Sequence, residues 1–411
     1  MCIDHSFRKN NAWLFEIHLQ KLLHALNEGG KTARIVGGAV RNSLLGFPVK
    51  DIDIATSCLP CEVLARAQDL GYRCLDHAQI FGTIFVLTPS GTFEVTSLRQ
   101  DIATDGRHAK VVFGEDWYVD AQRRDFTINA LYMDADGCIY DPLDVMKDIR
   151  SGTIRFIGEA EKRIKEDYLR ILRFFRFFAY YGIGRPDAEA LKAIVKHKSG
   201  LSRLSKERIW EELKKLLLAK QPMRALRWMR QTGVLTYVIE ESEKWGIDGL
   251  ESLIAIEERL ELSPDPLLRL AAIIPPYLER VEGLAQRLKL SASEKQRLTA
   301  WVKCPDISAF SQKNDIKKRI YDFGKIAVLD RLKLYLAYNR EKETYLLYRD
   351  LYSFTLNWEA PSFPISGKDL IALGYTPGPA LGKKLKLLEE YWYENAFEVS
   401  EEKLHEKLKT L

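Results

Sequence analysis

The stretch Ile35-Val36-Gly37-Gly38-Ala39-Val40-Arg41-Asn42, followed by Val49-Lys50-Asp51-Ile52-Asp53-Ile54, decides the fold of this chain. Arg34 to Val36 reads as a short strand. Gly37-Gly38 lets the backbone turn sharply and approach a ligand closely. Ala39 to Leu45 reads as a helix stopped by Gly46-Phe47-Pro48. A strand, a diglycine and a helix N-terminus together aim backbone N–H groups at an anion, and Arg41 adds a charged fork suited to phosphate oxygens. Asp51 and Asp53 follow on a strand-like run. Residues two apart on a strand share a face and lie roughly 7 Å apart, while Ile52 and Ile54 turn toward the core. Two carboxylates on one face repel unless a cation sits between them, and oxygen ligands beside phosphates suit Mg²⁺. An isolated Asp-x-Asp is usually an exposed strand edge. The diglycine, the arginine and the tight spacing point instead to a site for metal-assisted nucleotidyl transfer.

The rest of the chain bounds that reading. At 411 residues several domains are expected, and 46% hydrophobic with 29% charged residues fits a soluble globular protein. No apolar run approaches the length of a membrane-spanning helix, and the N-terminal segment lacks an apolar signal core. These features imply a cytoplasmic protein with no membrane partner. The net charge of +5 permits nucleic-acid binding without requiring it, so any binding surface must be a local patch. Six cysteines are too few for a disulfide framework. Cys58 and Cys61, with Cys74 and His77, have zinc-knuckle spacing, but Pro60 to Leu70 reads as one helix rather than a metal loop.

Residues 13–28 have helical periodicity. Ile80 to Leu87 and Thr92 to Ser97 read as two strands joined at Thr88-Pro89-Ser90-Gly91. On the second, Phe93 and Val95 share one face and Glu94 and Thr96 the other, so Glu94 is a candidate third carboxylate. Asp101 to Asp120 is polar and turn-rich and reads as a mobile loop beside the site. Strand character returns from Ile128, with a turn at Asp134 to Gly137. After Ile157 the periodicity is almost wholly helical, with apolar stretches at 163–181, 207–219, 249–261, 266–273 and 327–348. The expected architecture is an α/β head followed by helices, with its clearest boundary near residue 150.

Two further constellations carry charge into apolar surroundings. Gln122-Arg123-Arg124-Asp125-Phe126-Thr127-Ile128-Asn129 places Arg124, Asp125 and Asn129 beside a core segment, where triphosphate and ribose would supply partners. Glu166-Asp167-Tyr168-Leu169-Arg170-Ile171-Leu172-Arg173-Phe174-Phe175-Arg176 reads as one largely buried helix. On it, Asp167 and Arg170 are neighbours, as are Arg170 and Arg173, while Arg176 lies nearly opposite Asp167. Buried arginines require anionic or carbonyl partners. An Asp–Arg pair can also read a base edge: the carboxylate accepts from the amino group of C or A, and the arginine donates to the adjacent ring nitrogen. U and G present the opposite polarity and would leave buried groups mismatched.

GGAVRN, KDIDIAT, RRDFTINAL and EDYLRILRFFR, in that order, resemble the class II tRNA nucleotidyltransferases, the bacterial CCA-adding enzymes of the polymerase beta-like nucleotidyltransferase superfamily. The later stretch ISGKDLIALGYTPGPALGKKLK is similar to the tail of bacterial members. The resemblance implies a polymerase beta-like nucleotidyltransferase head at 1–150, then an all-α neck at 151–235, body at 236–305 and tail at 306–411. It implies addition of C, C and A to the tRNA 3′ end from CTP and ATP without a nucleic-acid template. Gly38 and Arg41, with Gly37, would hold triphosphate, and Asp51 and Asp53 would bind Mg²⁺. Arg124 would contact the nucleotide. Asp167 and Arg170 would select the base, supported by Arg173 and Arg176. Two positions depart from the family pattern: Asn42 stands where Asp is usual, and Phe81 where many relatives carry His. In the tail, Pro377-Gly378-Pro379 opens a helix bearing Lys383, Lys384 and Lys386, which can meet RNA phosphates.

Competing readings leave marks in the sequence. A poly(A) polymerase of the same class usually carries a basic, glycine-arginine-rich run after the aspartate strand, where this chain has HAQIFGTIFVLTPSG. A CC-only enzyme has a shortened loop, whereas Asp101 to Asp120 is full length; an A-only enzyme is a further alternative. Intact Asp51, Asp53, Arg124, Asp167 and Arg170 argue against a non-catalytic RNA-binding protein. Nucleotidylation of a small molecule leaves the long helical remainder without a purpose.

Overall fold

The computed structural model describes residues 10–76, 82–104, 109–339 and 341–410. His77 and Phe81, singled out from the sequence, lie outside the described residues, as do positions 105–108. Contacts divide the chain into two units, Met1–Val238 and Ile239–Leu411.

The first unit opens with helix α1 (Ile17–Leu26), whose Leu19, Leu22, Leu23 and Leu26 are fully buried. Strand β1 (Ala33–Val36) then runs through the Gly37 turn into α2 (Gly38–Leu45). After β2 (Asp53–Thr56) come α3 (Pro60–Asp69) and β3 (Arg73–Leu75), the hairpin of β4 (Thr83–Thr88) with β5 (Gly91–Ser97), and a second hairpin of β6 (Arg99–Thr104) with β7 (Ala109–Phe113). Helix α4 (Trp117–Gln122) precedes β8 (Tyr132–Met133) and β9 (Ile139–Tyr140). The main sheet has the order β3-β4-β5-β2-β1-β8-β9. Its β2–β5 pair is parallel and its other pairs are antiparallel. This is the expected α/β head.

The expected loop over Asp101 to Asp120 is corrected by the structure. Strands β6 and β7 pair antiparallel from Arg99↔Phe113 to Thr104↔Ala109, with a register shift between Asp101 and Ala103. Lys110-Val111-Val112-Phe113 contains two β-branched residues and an aromatic, which suit a strand despite the polar flanks. The hairpin is tied at its base, where Leu98 N–H donates to Thr56 O at 2.7 Å and Gly114 N–H to Leu98 O at 3.0 Å.

Helices follow: α5 (Met146–Ser151), α6 (Ala160–Glu166), α7 (Leu169–Tyr181), α8 (Ala188–His197), α9 (Lys206–Leu217), α10 (Met223–Gln231) and α11 (Val234–Val238). The periodic run at 163–181 is thus two helices rather than one. Asp167 is extended (φ −153°, ψ 109°), and its Oδ1 accepts from Leu169 N–H at 3.1 Å, capping the start of α7. Helix α7 meets the head through aromatic rings. Phe156 stacks on Phe174 at 5.7 Å between centroids, and Phe126 lies 4.9 Å from Phe156 and 5.2 Å from Phe177.

The second unit is helical: α12 (Ser242–Trp245), α13 (Asp248–Arg259), α14 (Pro266–Ala271), α15 (Leu278–Leu288), α16 (Ala292–Lys303), α17 (Lys313–Phe323), α18 (Lys325–Tyr338), α19 (Lys342–Asn357), α20 (Gly367–Ala372), α21 (Pro379–Glu394) and α22 (Glu401–Leu408). Arg269 is fully buried there and is neutralised by Glu257, the closest contact being 2.6 Å. No helix among the described residues is long and apolar enough to cross a membrane.

Phe174 is fully buried between head and helix. Phe174→Ala is therefore expected to destabilise the first unit by about 3–5 kcal/mol. The denaturant dependence of hydrogen exchange in residues 169–181 measures this.

Candidate active site

The register of three neighbouring strands builds the centre. Val36 pairs with Asp53 across β1 and β2, and Asp53 pairs with Glu94 across the parallel β2–β5 step. Directly cross-strand residues share a face about 5 Å apart. The turn that begins at Gly37 therefore starts beside Asp53, and Glu94 flanks it on the other side. Asp51 lies just before β2 and is exposed. Burial pushes the Asp53 carboxyl up; Arg124 opposes the rise and Asp51 adds to it. Burial likewise raises Glu94, with Asp53 contributing and Arg99 opposing. Asp51, Asp53 and Glu94 thus form a chain of mutually repelling carboxylates.

This donor set suits a hard cation. Its oxygens match what divalent ions of the Mg²⁺ kind accept, and a cation would offset both the burial that raises Asp53 and the smaller repulsion from Asp51. Among the described residues no group of three or more His, Cys, Asp or Glu side chains is placed to hold a metal ion unaided. A site built on the aspartate pair would therefore take further oxygens from substrate. Of the four zinc-spaced residues His77 lies outside the described residues; Cys58 is buried with its thiol 3.4 Å from Leu26 O, and Cys61 is exposed on α3.

Gly37 makes the sharp turn that the sequence suggests. Gly37 has φ +67° and ψ −116°, a conformation costly for residues with a Cβ. A Cβ there would make only ordinary contact with Arg124 Nη1 at 3.7 Å, so the positive φ rather than lack of space is what calls for glycine. Arg41, on the first turns of α2, is buried at 7% exposure. Its Nη2 donates to Tyr181 OH at 2.9 Å and to Asn42 Oδ1 at 3.0 Å, its Nε to Asn42 Oδ1 at 3.2 Å, and its Nη1 to Asn129 Oδ1. All of these partners are neutral. Burial lowers the basicity of Arg41, and Tyr181 partly offsets the effect.

The other arginines singled out from the sequence meet carboxylates. Arg124 Nη2 donates to Asp120 Oδ2 at 3.1 Å and Nε to Tyr132 OH at 3.3 Å. Burial alone would lower Arg124, but Asp120 outweighs it and holds the guanidinium above its ordinary value. Arg173 donates from Nε at 2.8 Å and from Nη2 at 2.5 Å to Asp125 Oδ2. Burial would raise Asp125, yet Arg173 holds it below the usual carboxylate range. The other oxygen of Asp125 accepts from Asn129 Nδ2 and from Phe126 N–H, each at 2.9 Å. Arg176 pairs with Glu212.

Asp167 and Arg170 are close in sequence but not paired with each other. Asp167 Oδ2 accepts from Arg208 Nη2 at 2.6 Å. Arg170 Nη1 bonds Glu166 and donates to Arg163 O at 2.8 Å. Its Nε and Nη2 carry no hydrogen bond among the described residues, and the Asp167 oxygens retain unused lone pairs. Sequence reading missed Asp120, Arg208, Glu212 and Tyr181. The four-residue step from Asp120 to Arg124 was the available signal for the first; the others depend on contacts between distant segments. Lys383 and Lys386 are exposed on α21, Lys386 lies 3.9 Å from Glu390, and Lys384 lies 5.8 Å from the Tyr375 ring.

Residues 33–155 match the family described as Poly A polymerase head domain, and residues 185–245 match the probable RNA and SrmB-binding site of polymerase A. The chain is 36% identical over 384 residues to the mitochondrial CCA tRNA nucleotidyltransferase 1 of Danio rerio, covering 90% of this chain and 85% of that protein. It is 30% identical over 379 residues to a CCA-adding enzyme of Leuconostoc mesenteroides, covering 91% of each. The crystal structure of the Bacillus stearothermophilus CCA-adding enzyme in complex with CTP superposes with a TM-score of 0.71 at 28% identity, over 95% of this chain and 97% of that one.

Asp53 and Glu94 titrate above their ordinary values in the folded chain, so the folded form binds protons that the unfolded form has released. Stability therefore falls as pH rises from the ordinary carboxylate range through the raised values. Asp53→Asn is expected to raise the thermal midpoint at neutral pH and to flatten this fall. Scanning calorimetry between pH 4 and 8, in chelator, measures both effects.

Proposed function

The chain belongs to the class II CCA-adding tRNA nucleotidyltransferases, and on that premise we propose that it adds C, C and A to the 3′ end of tRNA from CTP and ATP. The observation that carries the catalytic part is Asp53 lying in register between the strand that enters the Gly37 turn and Glu94. We assign the nucleotidyltransferase head to residues 1–150, the neck to 151–235, the body to 236–305 and the tRNA-binding tail to 306–411.

In this reading Gly37, Gly38 and Arg41 hold the triphosphate. Asp51 and Asp53 would hold a cation, which we take to be Mg²⁺ and which would supply charge to offset negative charge on the reacting oxygens. The tRNA 3′-hydroxyl oxygen bonds to the α-phosphorus, the bond to the bridging oxygen breaks, and pyrophosphate leaves. Glu94 receives the hydroxyl proton; its raised pKa brings it closer to the operating pH of a general base. Arg124, Asp125 and Asn129 orient the nucleotide. Asp167 and the free donors of Arg170 read the base, and the Asp125–Arg173 and Arg176–Glu212 pairs keep the neck helix in place under them. Lys383, Lys384 and Lys386 meet RNA phosphates. We place the protein in the cytoplasm on its composition; the name of the Danio rerio relative places that protein in mitochondria.

The decisive assay uses tRNAs ending before the first C, after C and after CC, each with single nucleotides and Mg²⁺. C, C and then A should be added in turn, and Asp51→Ala or Asp53→Ala should abolish every step with the fold intact. A long A tail would select poly(A) polymerase, and C-only or A-only addition a partial enzyme. Asp167→Ala should cost about 1–3 kcal/mol of base discrimination, read as the ratio of kcat/KM for CTP over UTP.

A further inference from the structure

Arg41 differs from its neighbours in how its charge is met. Arg124, Arg170, Arg173 and Arg176 each reach a carboxylate. Arg41 has no carboxylate at ion-pair distance among the described residues, although it is nearly as buried as a core side chain. Its guanidinium is seated by two amides and a phenol, and the Tyr181 ring lies 4.2 Å from it. A buried cation left without a counter-charge is costly unless an anion supplies one. Neutral partners hold the fork in place without cancelling the charge that would attract phosphate.

Two of these partners reach beyond the arginine. Asn42 Oδ1 also accepts from Tyr181 OH at 3.2 Å, while Asn42 Nδ2 donates to Pro48 O at 2.9 Å. An aspartate at this position would lack that second donor. Pro48 belongs to the turn leading to Asp51, and the Phe47 ring packs edge-on against Tyr181 at 5.4 Å. Tyr181 ends helix α7, and Arg170 lies on that helix's first turn. One rigid helix therefore carries a base-reading residue at one end and the support of the phosphate arginine at the other.

We infer that Tyr181 is a positioning residue for the triphosphate cradle, acting through Arg41 and Asn42. The inference rests on the reading above that Arg41 meets triphosphate. Because the triphosphate is common to CTP and ATP, losing the Tyr181 hydroxyl acts on both nucleotides alike and leaves base choice untouched.

The test compares Tyr181→Phe, Arg41→Lys and the double variant in the full chain. Binding of inorganic tripolyphosphate is measured by calorimetry, and KM and kcat are measured separately for CTP and ATP. Tyr181→Phe should weaken tripolyphosphate binding three- to tenfold and raise both KM values by the same factor. Its kcat should change less than twofold and its CTP-to-UTP ratio should not move. In the Arg41→Lys background the Tyr181→Phe effect should largely vanish. Unchanged tripolyphosphate affinity, a shift confined to one nucleotide, or a full-sized effect in the Arg41→Lys background overturns the inference. If the wild-type chain adds no nucleotide to tRNA, the functional reading fails, while the tripolyphosphate measurement still decides the role of Tyr181.

Discussion

The pairing register of β1, β2 and β5 is the constraint on which the site depends. With Val36 opposite Asp53 and Asp53 opposite Glu94, the glycine turn, the aspartate strand and the third carboxylate are brought together on three adjacent central strands of the sheet. A slip of one residue would send Asp53 to the other face, because strand side chains alternate. Buried Ile54 and Val95, paired across β2 and β5, hold the register by occupying the core face. The carboxylates are left repelling one another on the opposite face, a repulsion that a bound cation would relieve.

The neck helix is joined to this head by two kinds of contact. The rings of Phe126, Phe156, Phe174 and Phe177 supply apolar contact. The Asp125–Arg173 pair adds direction, since two guanidinium nitrogens converge on one carboxylate oxygen. Asp125 also holds Asn129, and Asn129 holds Arg41. The polar groups from the glycine turn to the neck thus form one connected network, in which Arg41 has no carboxylate at ion-pair distance among the described residues.

Two sequence expectations failed for physical reasons. Asp101 to Asp120 was polar enough to pass for a loop, yet its second half carries a β-branched and aromatic run that pairs back on Arg99 to Thr104. The run from 163 to 181 has continuous helical periodicity, but Asp167 is extended and caps the following helix with its carboxylate. Local composition is blind to the first, which needs a strand partner. Periodicity is blind to the second, because a capping residue and a helical one can occupy the same place in the repeat.

The sequence by itself determined the chemistry available here: a glycine turn that must adopt positive φ, carboxylates at strand spacing, and arginines set among aromatics. Those follow from local rules of backbone freedom and side-chain alternation. The tertiary structure decided which charges meet. Arg173 goes to Asp125, Arg176 to Glu212, Asp167 to Arg208, and Arg41 to neutral partners only. Such pairings join residues dozens of positions apart, so no local pattern encodes them. They are fixed by the packing of the neck helix against the head, where each buried charge must find whatever partner the fold brings within reach.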